Sequence, residues 1–131
     1  MYDYLENLRP VILVSLGAIA GAICRINLIN LFALNHVSNI KSIFTINTIA
    51  NFLLGVFIGL QNNYSSIEDS KSLYLLLCIG FLGCFSTFSA LVNELYVFFK
   101  NYQWAEFISY IMCSIVFGLL FALLGYSVSN A

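Results

Sequence analysis

The sequence contains very little charge. Five Lys or Arg and six Asp or Glu residues make up 8% of its 131 residues, whereas 61% are hydrophobic. A water-soluble domain of this length needs a much larger polar surface. Together with the mean hydropathy of +0.93, this composition predicts one integral membrane domain, residues 1–131, whose environment is the lipid bilayer.

Basic clusters are also missing. The net charge is −1 and no Lys- or Arg-rich stretch is interleaved with aromatic residues, so we expect no nucleic-acid partner. The acidic N-terminus lacks the basic region and cleavage site of a secretory signal. We therefore expect the first apolar run to be retained as a membrane span.

Catalytic and metal-binding patterns are absent too. The single histidine, His36, lies in a predicted loop, no serine has a base at a suitable spacing, and no Gly-rich phosphate loop is present. The cysteines lack CxxC spacing and lie inside apolar runs, which favours small buried hydrophobic residues over metal ligands or disulfides; they are Cys24, Cys78, Cys84 and Cys113. We therefore expect that this protein is not an enzyme.

Four long apolar runs predict four transmembrane helices, because about 20 residues cross a hydrocarbon core of about 30 Å. Pro10 is expected to open the first helix, where its missing N–H has no cost. Gln61–Lys71 is the clearest loop, and 100–106 is a short turn. The fold class is an all-α membrane protein with spans at about 11–34, 43–60, 73–99 and 107–128.

The basic residues outside the spans are balanced between the two sides. Arg9 and Lys71 share one side, and Lys41 and Lys100 share the other. An excess of Lys and Arg normally sets orientation, so this balance predicts dual topology. An antiparallel pair would place a shared site near the bilayer centre.

The third apolar run, unlike the others, is interrupted by small and hydroxyl residues, in GFLGCFSTFSAL from Gly80 to Leu91. Such an interruption at membrane depth is tolerated where it faces protein or water. We predict a third helix broken at its centre, around 83–87. Carbonyls freed there in two chains would suit a hard cation, while a kink satisfied by neighbouring helices is the alternative.

Polar residues inside the spans are candidates for function. Arg25 would cost about 2.5–3.5 kcal/mol at a helix centre, so it either faces a cavity or snorkels to the interface; Glu94 has the same ambiguity. Asn47 and Asn51 share a helix face and serve either interhelical hydrogen bonds or an anion.

Two stripes at helical spacing have equally open interpretations. Tyr110, Ser114 and Gly118 recur every four residues, which suits close packing or a pore lining. Phe85, Phe88 and Leu91 recur every three residues and are expected on one face, where rings either pack or turn a positive edge to an anion.

These motifs together resemble the CrcB/Fluc fluoride channel family. GFLGCFSTFSAL is similar to its third-helix signature GFxGGxTTFSTF, and Glu94 matches the glutamate that follows it. GAIAGAICRI resembles the first-helix GGxxGAxxRY, and SIFTINTIANFLLG resembles GTLxVNxxGxFxxG. The fourth helix carries the spaced Tyr, Ser and Gly, so all four spans match in order.

The resemblance implies an antiparallel homodimer in the cell membrane that conducts fluoride passively out of the cytoplasm through two pores. It implies a structural sodium ion bound by the backbone carbonyls of Gly83 and Ser86. It assigns the anion pore to Asn47, Phe88, Tyr110 and Ser114 and the vestibule to Arg25. Further candidates without an assigned role are Asn51, Phe85, Thr87, Ser89, Leu91 and Glu94.

The sequence departs from this pattern most clearly at Leu91, where the family has a second pore phenylalanine. Ser42-Ile43 and Ala50 also replace family residues. A leucine offers no ring edge, which indicates either altered conduction or a subunit that works with a paralogue. The alternatives from other classes are a proton-coupled small multidrug exporter, for which Glu94 is the one intramembrane acid, and a non-conducting accessory subunit.

Overall fold

The computed structural model describes the backbone of residues 2–61 and 71–130, and the side chains of these ranges from residue 8 onwards. All regular structure in these ranges is helical. The helices are α1 (Tyr2–Leu34), α2 (Asn39–Gln61), α3 (the π-helical Tyr74–Leu82 continued by the α-helical Gly83–Phe85), α4 (Phe88–Lys100) and α5 (Trp104–Ser129).

Four helical stretches are long and apolar enough to cross a membrane, which confirms the predicted number and order of spans. They extend beyond the predicted bounds because the helices continue into polar residues that flank the apolar runs. The predicted loop Gln61–Lys71 lies outside the described residues except for its two ends. The four stretches are Leu8–Leu34, Asn39–Gln61, Lys71–Lys100 and Trp104–Ser129.

The expectation that Pro10 opens the first helix is wrong. Pro10 lies inside α1, which begins at Tyr2. Proline removes one helical hydrogen bond, but the residues before it include Leu, Glu and Arg, which favour helix. The end of an apolar run therefore does not mark the end of its helix.

The two described turns are shorter than expected. His36 (φ 56°) and Tyr102 (φ 58°) adopt left-handed backbone conformations in them. Lys41 and Glu106, which we assigned to connections, instead lie in the first turns of α2 and α5. Glu106 suits that position because a negative charge is favourable near a helix N-terminus.

The helices pack as two close pairs, α1 with α3 and α2 with α5. Glycine makes these close approaches possible. A Cβ on Gly21 would overlap the Phe81 carbonyl, and a Cβ on Gly125 would overlap the Phe52 carbonyl. Small residues at helix interfaces are typical of membrane proteins, where van der Waals packing replaces the hydrophobic effect.

A small buried cluster joins α2 to α3, formed by Ile46, Ala50, Leu82 and Phe85. Most other large apolar side chains are exposed on the single chain, among them Ile19, Leu119 and Leu123 at 59–64%. In a bilayer such side chains contact lipid or another protein chain. The single chain therefore has a thin core and an apolar exterior.

Between α3 and α4 the backbone is extended, with Ser86 at φ −83°, ψ 152° and Thr87 at φ −139°, ψ 117°. The Thr87 N–H donates to Asn47 Oδ1 on α2 at 3.2 Å. In a continuous α-helix this N–H would bond to the Gly83 carbonyl. That carbonyl therefore lacks its helical donor.

The expectation that Phe85, Phe88 and Leu91 share one face is wrong for Phe85. Phe85 is 2% exposed and Phe88 is 79% exposed. The extended Ser86–Thr87 segment separates the two rings, so helical spacing does not carry across it. Phe85 stacks on Phe81 with ring centroids 5.6 Å apart and is part of the core.

The close approach of α1 and α3 leads to a stability prediction. We expect Gly21→Ala to destabilise the protein by about 1–3 kcal/mol, the usual cost of overpacking, because its methyl group would meet the Phe81 backbone. The measurement is thermal unfolding in detergent. Ala20→Val enlarges the neighbouring exposed position and is the matched control. Equal melting temperatures for the two variants would contradict the prediction.

Candidate functional site

A cavity of about 550 Å³ with several polar side chains in its wall opens between α1, α2 and α4; we call it the vestibule cavity. Residues from all three helices line it. The guanidinium of α1 lies near the extended Ser86–Thr87 segment, and α4 begins directly after that segment. The predicted site residues in its wall are Arg25, Asn47, Thr87, Ser89 and Glu94.

Arg25 and Glu94 both line the vestibule cavity without an ion-pair partner among the described residues. A charge inside a membrane span is costly and normally faces a partner or water. The guanidinium therefore remains available to attract an anion, since no described carboxylate neutralises it by direct contact.

A second cavity of about 410 Å³ lies between α2, α4 and α5; we call it the passage cavity. Its polar lining comes from four predicted site residues, and its apolar lining includes Phe88 and Leu91. Asn47 lines this cavity as well as the vestibule cavity. The complete set of predicted residues here is Asn47, Asn51, Ser86, Phe88, Leu91 and Ser114.

The hydrogen bond from Thr87 determines the orientation of the Asn47 amide. An N–H donor requires the oxygen end of the amide, so Oδ1 faces Thr87 and Nδ2 keeps both of its hydrogens. No described residue accepts from Nδ2. At the junction of the two cavities, the side chain thus presents a donor.

The Phe88 ring is 79% exposed on the single chain although it lines the passage cavity. One chain thus leaves most of a large aromatic ring at this cavity uncovered. The passage cavity is therefore incompletely walled by one chain.

Tyr110 does not join the other predicted pore residues. It lines a different cavity of about 470 Å³ with Lys41 and Glu106, and its ring packs near Phe44 and Phe98, at 6.4 and 6.0 Å between centroids. Its buried hydroxyl has no hydrogen-bond partner in the described part of the chain.

Gly83 and Ser86, the predicted cation ligands, lie at the end of α3. Gly83 is exposed, and its carbonyl has lost the donor that Thr87 would supply. The Ser86 hydroxyl donates to the Leu82 carbonyl at 2.9 Å, which leaves its own carbonyl oxygen outside that bond. Oxygen atoms of this kind suit a hard monovalent cation.

Side-chain metal ligands do not gather elsewhere. Within residues 8–61 and 71–130, no group of three or more His, Cys, Asp or Glu side chains is placed to hold a metal ion. The cysteines are present as free thiols.

The sequence interpretation missed three polar residues that line the vestibule cavity: Asn39, Ser42 and Asn93. Asn93 directly precedes Glu94, so an amide next to an intramembrane acid was a usable signal. No signal in the sequence indicated the role of the Thr87 backbone N–H, because its partner Asn47 is 40 residues away along the chain.

Comparison with known proteins identifies the family. Residues 12–126 match the family model described as CrcB-like protein, Camphor Resistance (CrcB). The chain is 43% identical over its full length and the relative's full length to fluoride-specific ion channel FluC 2 of Prochlorococcus marinus strain SARG.

More distant relatives have related names. The chain is 31% identical to fluoride-specific ion channel FluC of Phocaeicola vulgatus, over 94% of this chain and all of the relative. It is 30% identical to FluC 1 of Prochlorococcus marinus strain MIT 9313, over 90% of each chain. No solved structure matches significantly. Because the family model and a full-length relative both match, this chain belongs to the CrcB-like family.

Proposed function

We propose that this chain is a fluoride-selective ion channel that lets cytoplasmic fluoride leave passively across the cell membrane. The names of its relatives support fluoride as the ion. The observation that carries the proposal is the Thr87–Asn47 hydrogen bond, because it orients an amide donor at the junction of two cavities.

The vestibule cavity would collect the anion. Arg25 supplies a positive charge in a cavity whose walls have a low dielectric constant, which raises the local concentration of anions. The anion then meets Asn47 Nδ2, whose hydrogens are free to donate. Fluoride is small and strongly hydrated, so each lost water must be replaced by such a donor.

Phe88 would form the next part of the path. Its ring lines the passage cavity, and the positive edge of an aromatic quadrupole attracts an anion. Larger anions gain less from the same donors and fit a narrow path less well. Selectivity would therefore follow from size and hydration.

The channel would be an antiparallel dimer. The exposed Phe88 ring supports a partner that completes the passage cavity, and the balanced basic residues at the two ends support insertion in both orientations. A second copy of this chain is the simplest partner.

Sodium would sit where the extended segments of two chains meet. The carbonyls of Gly83 and Ser86 would hold it, and the missing donor at Gly83 supports this fit. When bound, it supplies a fixed positive charge and a link between subunits.

A second candidate is a subunit that conducts only with a paralogue. Leu91 supports it, since its side chain gives the passage cavity no ring edge. The numbered names FluC 1 and FluC 2 among the relatives also favour it. The proton-coupled exporter gains less support, because Glu94 shares its cavity with Arg25.

Purified chain in liposomes tests the main proposal. We expect rapid fluoride efflux and little chloride efflux, because the hydrogen-bond donors along the path replace the hydration shell of a small anion best. Both ions are followed in parallel with ion-selective electrodes. Absence of fluoride efflux at every protein density would rule out the homomeric channel. Efflux that appears only after co-reconstitution with a paralogue would establish the second candidate.

Substitutions of Asn47 test its orientation. Asn47→Asp keeps an oxygen for the Thr87 N–H but removes the donor, so we expect fluoride flux to fall about tenfold or more, as for loss of a hydrogen bond to a charged group. Asn47→Ala and Phe88→Ile should also suppress flux while the dimer persists in gel filtration. Near-normal flux in Asn47→Asp would show that the amide nitrogen is not the donor.

Thermal unfolding tests the cation. We expect the dimer in detergent to melt at a higher temperature in sodium chloride than in N-methylglucamine chloride of equal ionic strength, because a ligand that binds only the folded state stabilises it, by about 2.7 kcal/mol at one hundred times its dissociation constant. Potassium chloride is the control for a general cation effect. Identical melting temperatures in all three salts would contradict the site.

A further inference from the structure

The Asn51 amide lies in the passage cavity without a hydrogen-bond partner in the described part of the chain. It follows Asn47 by one turn on the same face of α2, about 6 Å further along the helix axis. An amide inside a membrane protein that finds no protein partner is costly. Its natural partner is whatever enters the cavity.

Gly118 on α5 makes room for this amide. A Cβ at residue 118 would lie 2.8 Å from Asn51 Nδ2, and its other close neighbour would also belong to Asn51. The missing side chain therefore allows the Asn51 amide to lie against α5.

Ser114 lies one turn before Gly118 on α5 and lines the same cavity as Asn51. Its buried hydroxyl oxygen has no hydrogen-bond partner among the described residues. Asn51 from α2 and Ser114 from α5 thus line one cavity, and each has an unused donor, although the serine hydroxyl is itself buried.

The remaining walls of the passage cavity offer little to an anion past Asn47. Leu91, Leu95 and Ile111 are aliphatic, and the Ser86 hydroxyl already donates to the Leu82 carbonyl. Once an anion has moved beyond Asn47 and the Phe88 ring, the donors left to replace its water are those of Asn51 and Ser114.

Resting on the channel function proposed above, we propose that Asn51 is a second anion-binding residue of the passage, one helical turn beyond Asn47, and that it acts together with Ser114. A small, strongly hydrated anion moves between the two amides by exchanging one set of donors for the next. The distance of one helical turn makes this a short step.

The test is fluoride efflux from liposomes at matched protein density. Asn51→Leu keeps the approximate shape and removes the donor, so flux should fall about tenfold, the size expected for one lost hydrogen bond to an ion. Thr48→Val is the matched control on the same helix, because the Thr48 hydroxyl already donates to the Phe44 carbonyl at 2.8 Å; its flux should equal that of the wild type.

Gly118→Ala provides a second, independent variant. Its methyl group displaces the Asn51 amide, which is the end of a flexible side chain, so the fold should persist and flux should fall. In an Asn51→Ala background the same change should cause no further fall, because no amide remains to be displaced. A purely structural role of Gly118 would lower flux equally in both backgrounds and would overturn the inference.

The possible failures are distinguishable. Wild-type flux in Asn51→Leu, with a dimer in gel filtration, overturns the role of Asn51 and leaves the channel function intact. Absence of fluoride flux in the wild type overturns the proposed function and this inference with it. If Asn51→Leu does not form a dimer, the Gly118→Ala comparison decides.

Discussion

A membrane interior contains no water to satisfy an unpaired backbone group, and the structure depends on how this constraint is met at Ser86 and Thr87. Two extended residues inside an apolar run leave backbone groups without helical partners. The Asn47 side chain accepts the Thr87 N–H. One side chain on α2 thereby allows α3 and α4 to be separate helices.

The same hydrogen bond has two chemical consequences. It takes the donor away from the Gly83 carbonyl, which leaves an oxygen available for a cation. It also turns the Asn47 amide so that its nitrogen remains free at the junction of the vestibule and passage cavities. The proposed cation and anion sites are thus linked through one interaction, although they would attract opposite charges.

The glycines have a complementary structural role. Gly21 and Gly125 allow backbones to touch within the pairs α1–α3 and α2–α5, and Gly118 leaves space for Asn51. A chain with a thin core gains its cohesion from such contacts. Its exposed apolar exterior, and above all the Phe88 ring, leaves a surface that fits lipid or a second subunit.

The sequence by itself determined the four spans and the shared face of Asn47 and Asn51, because hydropathy and helical periodicity act over short distances along the chain. It did not determine that α1 continues through Pro10, that Tyr74–Leu82 is π-helical, or that Tyr110 and Ser114 line different cavities. Only the tertiary structure decided the pairing of Thr87 with Asn47 and the separation of Phe85 from Phe88. These depend on contacts between distant residues and on a change of backbone direction, neither of which a local pattern encodes.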